Sequence, residues 1–439
     1  MKIWKVLLLL FIIGFILRLY VDTSYFFWDE SVYLLNAKWF ATGKSEYNEI
    51  DLRPPLVSFL LSFFYGSKNF EVISRVILIF LNSLSIPAMF FLGKEINPRV
   101  GILSATLLTF LPFHIQLSRL IMTDSVSMLF IILLVLYLLR KKAILSGLFA
   151  GLAFLTKYTS LIFVPIILIP FFYHIKKPKF FFKFLAGLMI IIPFFLFNIL
   201  YYGSMFHFFF SAIGAVSKQE IVTLSFIFWL LYDLIGIILL SLFLFSIYPS
   251  FKFSKCRLFL FWFISFFFVC LLILNLGTDK PPSIQWVVER FLLPLLPPML
   301  ILASYSALEF FKNYKLIFLL FIVFIIFNIP NYSRAYTPAI EFEGGLRNAT
   351  KLMGIYIDEN LKGNTTIYCT FNCPPIAWYG KRKTAVTNFE ESPWQNLKEN
   401  VYLIKYSSKP PSLEECFSQG FHVEKEIKDK EWSVYLLKK

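Results

Sequence analysis

The chain has 439 residues, of which 58% are hydrophobic, 20% aromatic and only 16% charged. Soluble domains run near half apolar and a quarter charged, so 55 Phe and a mean hydropathy of +0.70 exclude a soluble globular protein; the surplus apolar surface has to face lipid or pack between lipid-facing helices. The net charge of +15 would suit a nucleic-acid binder, but residues 332–439 carry 15 basic and 13 acidic side chains against 27 and 14 in the rest, so the excess lies in short clusters between apolar runs, where it encodes orientation.

In chain order, the first element is an apolar run preceded by Lys2 and Lys5. No small-x-small cleavage site follows, so it is predicted as an uncleaved first helix. Runs of roughly the length that crosses a bilayer recur near 4–21, 71–92, 100–116, 122–139, 143–156, 158–173, 184–201, 224–248, 257–275, 291–308 and 316–330, which predicts an all-α polytopic membrane protein of about 11 spans. The fifth and sixth form a tight hairpin broken at Lys157.

A cytoplasmic N-terminus puts Lys2, Lys5, Lys94, Arg99, Arg140, Lys141, Lys142, Lys176, Lys177, Lys179, Lys183, Lys252, Lys255, Arg257, Lys312 and Lys315 on one side, with Glu95 almost the only acid among them. Every second loop is basic, the alternation that the positive-inside rule requires. The C-terminus is then exterior, in the cell membrane of a multi-pass protein.

Two exterior regions are long. Residues 22–70 contain stretches too short or too polar to span, Ser31–Thr42 and Leu56–Tyr65, predicted as helices at the interface. After residue 330 a helical stretch, Gly345–Leu361, precedes β-like runs at Thr365–Thr370, Lys383–Thr387, Val401–Tyr406, Phe421–Ile427 and Trp432–Leu437. This predicts two domains: a transmembrane domain over 1–330, including the 22–70 loop, and a small extracytoplasmic α/β domain over 331–439. Cys369 and Cys373 lie outside at C-x-x-x-C spacing, which leaves a bridge open, and no second pair completes a zinc site. His114 and His207 are lone histidines in apolar context, read as satisfied and not as ligands.

The polar residues that carry chemistry lie at the outer ends of predicted spans. Asp29-Glu30 follows Phe26-Phe27-Trp28; Arg53 precedes Pro54-Pro55; Arg119 and Asp124 bracket a turn; Lys157 sits at the hairpin break; Glu289-Arg290 precedes Phe291-Leu292-Leu293-Pro294. Charges at the lipid boundary are costly unless paired or functional. Cations beside one acidic pair suit an anionic lipid headgroup together with a general base: the cations hold a phosphate and stabilise it as it leaves, and a carboxylate takes the proton of an attacking hydroxyl. One in-line displacement inverts the anomeric centre of a transferred sugar.

The segments "WDESVYLLNAKWFATGK", "RPPL", "RLIMTD", "FLTKYTSLIFVP" and "ERFLLPLLPP", taken in order, resemble the GT-C membrane glycosyltransferases, nearest the protein O-mannosyltransferases and lipid A aminoarabinose transferases. The resemblance covers roughly residues 1–310. It implies that Asp29 is the catalytic base, supported by Glu30, and that Arg53, Lys157 and Arg290 lie at the donor phosphate. It puts Asp124 on the acceptor side, with Arg119, Tyr33 and Glu289 shaping the site. It also implies a polyprenyl-phosphate-linked sugar as donor, membrane lipids as surroundings, an acceptor left open, no metal cofactor and no nucleic-acid partner. The W-W-D-Y-type motif of oligosaccharyltransferases is absent, so transfer of one sugar is expected; the MIR domain of eukaryotic mannosyltransferases is absent too, which counts against a protein acceptor.

Each residue also has a structural reading. Asp29 and Glu30 can cap an interfacial helix, Arg53 can snorkel to headgroups, Lys157 can anchor topology, Arg290 can pair with Glu289, and Asp124 can start a helix. A transporter or lipid flippase is the rival from another class, but such proteins place ions near the bilayer midplane on broken helices with internal repeats, whereas these charges collect at one boundary. A non-enzymatic surface anchor leaves the acidic pair and the cations unexplained.

Overall fold

The computed structural model describes residues 3–19, 26, 28–160, 164–165, 168, 178–216, 224–275, 290–331, 344–361, 365–369, 373–386, 402–407, 413–418, 420–429 and 432–439. The chain is mostly helical with a small C-terminal sheet. It divides into two compact units, one formed by 1–20, 51–56 and 76–335, the other by 21–50, 57–75 and 336–439.

Among the described residues three helices are long and apolar enough to cross a membrane, Phe70–Lys94, Pro178–Tyr202 and Arg290–Phe310; Pro98–Thr109 and Pro112–Ser118 qualify together as one span bent by 62°. Shorter apolar helices run over Asp124–Leu139, Ala143–Thr156, Ile235–Phe251, Cys256–Phe268 and Lys315–Phe327. The predicted hairpin break is present: the Ala143–Thr156 helix stops where Lys157 turns extended. Most of the predicted 158–173 span lies outside the described residues. The predicted 224–248 span is one helical stretch, Leu224–Lys252, interrupted at Gly236, whose φ of 75° is open to glycine at little cost. Phe182, Leu200, Phe318 and Phe327 are exposed, as large apolar side chains are where lipid is the solvent.

With lipid outside, packing between helices depends on close approach and polar contacts. A Cβ on Gly147 would lie 1.9 Å from the Phe184 carbonyl oxygen, and one on Gly187 would lie 2.0 Å from that of Ile144, so the Ala143–Thr156 and Pro178–Leu188 helices cross backbone to backbone. Ser104 donates to Ser304 at 3.1 Å.

The 62° bend frees carbonyls, because Pro112 supplies no N–H at the start of its helix. Arg18, fully buried, answers this: its guanidinium donates to the Leu108 carbonyl at 3.2 Å and the Thr109 carbonyl at 3.4 Å, and to His114 Nδ1 at 2.7 Å. His114 is therefore satisfied within the fold.

The second unit holds a five-stranded sheet of β1 (Ile367–Cys369), β2 (Thr384–Val386), β3 (Tyr402–Ser407), β4 (His422–Asp429) and β5 (Trp432–Lys438), in the order β2-β1-β3-β5-β4. β1 pairs in parallel with β2 and β3, and β5 antiparallel with β3 and β4. The Gly344–Asn360 helix buries Ala349, Met353 and Ile357 against Ile367, Ile404 and Leu436. The predicted strands and helix are all present; the Cys373–Gly380 helix was not foreseen, because Pro374-Pro375 reads as a breaker although proline suits a first turn. The expected loop helices are Trp28–Thr42 and Pro55–Ser62. Cys369 and Cys373 are free thiols, and burial, then the adjacent Cys373 thiol, pushes the Cys369 thiol well above its ordinary range.

Gly147→Val should break the close helix crossing at Phe184. The backbone has to separate to admit the side chain, and overpacking typically costs about 1–3 kcal/mol. Thermal unfolding in detergent should show a lowered Tm for this variant and little change for Ser146→Ala.

Candidate active site

In the second unit the Trp28–Thr42 helix carries Asp29 and Glu30 in its first turn, where the helix dipole favours carboxylates. The two neighbours differ. Glu30 is 1% exposed and paired with Arg75, itself 3% exposed, at 2.6 Å; Asp29 is half-buried. The Arg75 guanidinium also lies 4.9 Å from the centre of the Phe26 ring, and Tyr379 stacks on that ring at 5.9 Å. A third carboxylate joins them: Glu49, buried, accepts from Trp28 Nε1 at 3.1 Å and from the Tyr47 hydroxyl at 2.7 Å, while its backbone N–H donates to Asn36 Oδ1. Tyr33 is buried, and its carbonyl accepts from Ser58 Oγ at 3.0 Å.

The C-terminal segment holds this helix in place. The Cys373–Gly380 helix packs on Trp28–Thr42, and Trp378 Nε1 donates to Glu71 at 2.6 Å. The Tyr379 hydroxyl is held well above its ordinary range by burial, then by the Glu71 and Glu30 carboxylates, so it stays a neutral phenol at working pH. Arg75, Glu49, Trp378 and Tyr379 were not singled out in the sequence. Arg75 sits inside an apolar run, a signal that an intramembrane cation needs a partner.

In the first unit the structure gathers two of the expected cations around one carboxylate. Asp124 opens the Asp124–Leu139 helix and is 1% exposed. Its Oδ1 accepts from Lys157 Nζ, and its Oδ2 accepts from Arg290 Nε and Nη2 at 3.0 and 2.9 Å. Lys157 and Arg290 are 17% and 12% exposed. The sequence reading separated Asp124 from the two cations; the fold puts all three in one cluster. Lys157 is fixed by its turn, since the Ser160 N–H donates to its carbonyl and Ser160 Oγ lies 3.2 Å from Ser127 Oγ on the Asp124 helix. Its ammonium lies 4.7 Å from the centre of the Phe291 ring. Arg290 is fixed by the buried Leu292, Leu293 and Leu295 that follow it.

Arg53 is half-buried, and its carbonyl accepts from the Tyr158 hydroxyl at 3.2 Å. This brings Arg53 to the residue next to Lys157. Tyr158 belongs to an aromatic nest with Phe154, Phe194 and Phe208, ring centres 4.8–5.8 Å from its own. Arg119 is buried at the end of the Pro112–Ser118 helix. Glu289 lies outside the described residues. Among the described residues no three His, Cys, Asp or Glu side chains group so as to hold a metal ion.

The Glu30–Arg75 pair yields a test. Removing one partner of a buried pair leaves the other charge unpaired and typically costs about 3–5 kcal/mol, whereas replacing both costs far less. Arg75→Met should therefore destabilise the second unit strongly, and Arg75→Met with Glu30→Gln should recover most of the loss. Chemical denaturation of the four species checks this; equal losses in the single and double variants would show that the pair contributes nothing.

Residues 52–201 match the family described as dolichyl-phosphate-mannose-protein mannosyltransferase. No curated protein matches the chain by sequence. Among solved structures, ArnT from Cupriavidus metallidurans bound to undecaprenyl phosphate superimposes with a TM-score of 0.68 at 11% identity, covering 98% of this chain and 97% of that one. Its apo state gives 0.69 at 12% identity, covering 97% and 96%. The Archaeoglobus fulgidus oligosaccharyltransferase AglB, in complex with an inhibitory peptide and a dolichol-phosphate, gives 0.57 at 13% identity, covering 91% and 69%. The chain therefore shares its fold with the ArnT and AglB structures, and the family match spans residues 52–201 of its 439.

Proposed function

We propose that this protein transfers a single sugar from a polyprenyl-phosphate donor to an acceptor hydroxyl, on a lipid, glycan or protein, at the exterior face of the cell membrane. The observation that carries the reading is the Asp124–Lys157–Arg290 cluster. One carboxylate holds two cations, both partly exposed, and Arg53 is tied to the adjoining residue. Cations gathered in this way suit a lipid phosphate, which takes charge-assisted hydrogen bonds. The ArnT and AglB structures, of the same fold, hold undecaprenyl phosphate and dolichol-phosphate respectively.

In this mechanism Arg53, Lys157 and Arg290 bind the donor phosphate by charge-assisted hydrogen bonds. Asp124 keeps Lys157 and Arg290 from repelling each other when the donor is absent. The acceptor oxygen attacks the anomeric carbon, the bond from that carbon to the phosphate oxygen breaks, and the phosphate leaves with the electron pair, stabilised by the same cations. Asp29, the more accessible member of the acidic pair, takes the hydroxyl proton. Glu30 acts through its ion pair with Arg75, which fixes the first turn of the Asp29 helix. The mechanism calls on no metal. The phosphate is a good leaving group, so no separate acid is needed, and the single displacement inverts the anomeric centre.

The orientation proposed has the N-terminus and the loops at Lys94, Lys141, Lys177, Lys255 and Lys312 in the cytoplasm, about 11 spans, and the C-terminal domain outside as a lid or acceptor-recognition module. Cysteine labelling of intact cells should mark the tail after residue 330 and spare position 141; the reverse pattern would sink the scheme.

The chemistry is checked by incubating purified protein with candidate polyprenyl-phosphate sugars and measuring released lipid phosphate by mass spectrometry. Asp29→Asn should keep donor binding but lose turnover by about 10²–10⁴-fold, the usual worth of a general base. Arg53→Ala should instead weaken donor binding about tenfold or more, since a charge-assisted contact is worth about 1.5–3 kcal/mol, with Arg53→Lys recovering part of it. Near-normal turnover in Asp29→Asn together with a dead, folded Glu30→Gln would reassign the base; activity in both would reject the mechanism.

A further inference from the structure

Away from the Asp124 cluster, the first unit has an open cavity of about 450 Å³ lined by Lys141, Lys142, Lys179 and Lys183 together with Ile144, Leu145 and Phe180. The volume falls in the range of small-molecule sites. Among the described residues no carboxylate pairs with any of the four ammonium groups. Arg140, next to Lys141 in the chain, differs: it pairs with Glu95 at 2.8 Å. Four like charges converging on one cavity repel unless an anion neutralises them.

The frame around the cavity is fixed. The Ala143–Thr156 and Pro178–Leu188 helices that supply the lysines are locked at the Gly147–Phe184 and Gly187–Ile144 contacts, so the lysine stems start from a rigid base. Neither helix has an acidic residue in its first turn. Lys141 itself sits at φ 56°, a left-handed conformation that costs a lysine more than a glycine. Beside the charges, Ile144, Phe181 and Phe182 are exposed, so an apolar surface adjoins the cationic one.

We propose that this cavity binds a phosphate-bearing anionic headgroup, with the ammonium groups on the phosphate. The exposed Ile144, Phe181 and Phe182 favour a membrane phospholipid, whose acyl chains they would meet, over a soluble phosphate. The site is separate from the donor cluster and does not rest on the transferase reading. Basic pockets between membrane helices are a known physical solution for such headgroups.

The test uses full-length protein in detergent, native mass spectrometry, and added phosphatidylglycerol or phosphatidylcholine. Wild-type protein should retain phosphatidylglycerol preferentially. The combined variant Lys141→Gly, Lys142→Gln, Lys179→Gln, Lys183→Gln should retain at least tenfold less, while four Lys→Arg substitutions should preserve retention. Lys141→Gly alone guards against misfolding, since its backbone suits glycine, and should lower retention without lowering Tm. Retention that millimolar pyrophosphate leaves intact supports a lipid headgroup, and displacement by pyrophosphate supports the same site with a soluble phosphate ligand. Equal retention of both lipids, unchanged retention in the combined variant, or loss of phosphatidylglycerol in Arg53→Ala would each overturn the proposal.

Discussion

Asp124 joins parts of the chain that sequence keeps far apart: Lys157 lies 33 residues on and Arg290 lies 166 residues on. A buried carboxylate is tolerated only with its charge matched and its oxygens occupied, and here each oxygen has a cationic donor. The helix beginning at Asp124, the turn at Lys157 and the leucine-proline run after Arg290 are therefore fixed by one electrostatic requirement. The fold itself thereby holds both cations in place. The cluster is thus a structural knot and a candidate phosphate site at once.

The second unit follows the same rule with a different outcome. Glu30 and Arg75 bury each other, which leaves Asp29, its neighbour, as the more accessible carboxylate of the pair. The Cys373–Gly380 helix then packs on the acidic helix, stacks Tyr379 on Phe26 just before it and bonds through Trp378 to Glu71 on the Phe70–Ser83 helix. Contacts between residues some 300 apart in sequence give the C-terminal segment a mechanical role that needs no catalytic group of its own. It holds the first turn of the Trp28–Thr42 helix, and with it the orientation of the acidic pair.

Several elements were legible from local signals. The strands at 367–369, 384–386, 402–407, 422–429 and 432–438 follow from short β-like runs between turn residues, and the break at Lys157 follows from a polar interruption of an apolar run. Asp29, Asp124, Lys157 and Arg290 stood out because charge at the edge of an apolar segment is expensive. The Cys373–Gly380 helix was missed because two prolines read as a stop, although they occupy its first turn. Arg75 was harder to place, since an arginine within an apolar run announces a partner without naming it.

The sequence by itself determined that this is a membrane protein, which runs are helical, which carry strands, and which charged residues sit at their ends. Those properties depend on composition and on periodicity within about 20 residues. Pairing was decided only by the tertiary structure. Asp124 was assigned from the sequence to the acceptor side, yet it takes Lys157 and Arg290, whereas Glu30 takes Arg75. The reason is physical: the cost of a buried charge is a local property of the chain, while the partner that offsets it is chosen by packing across the whole fold.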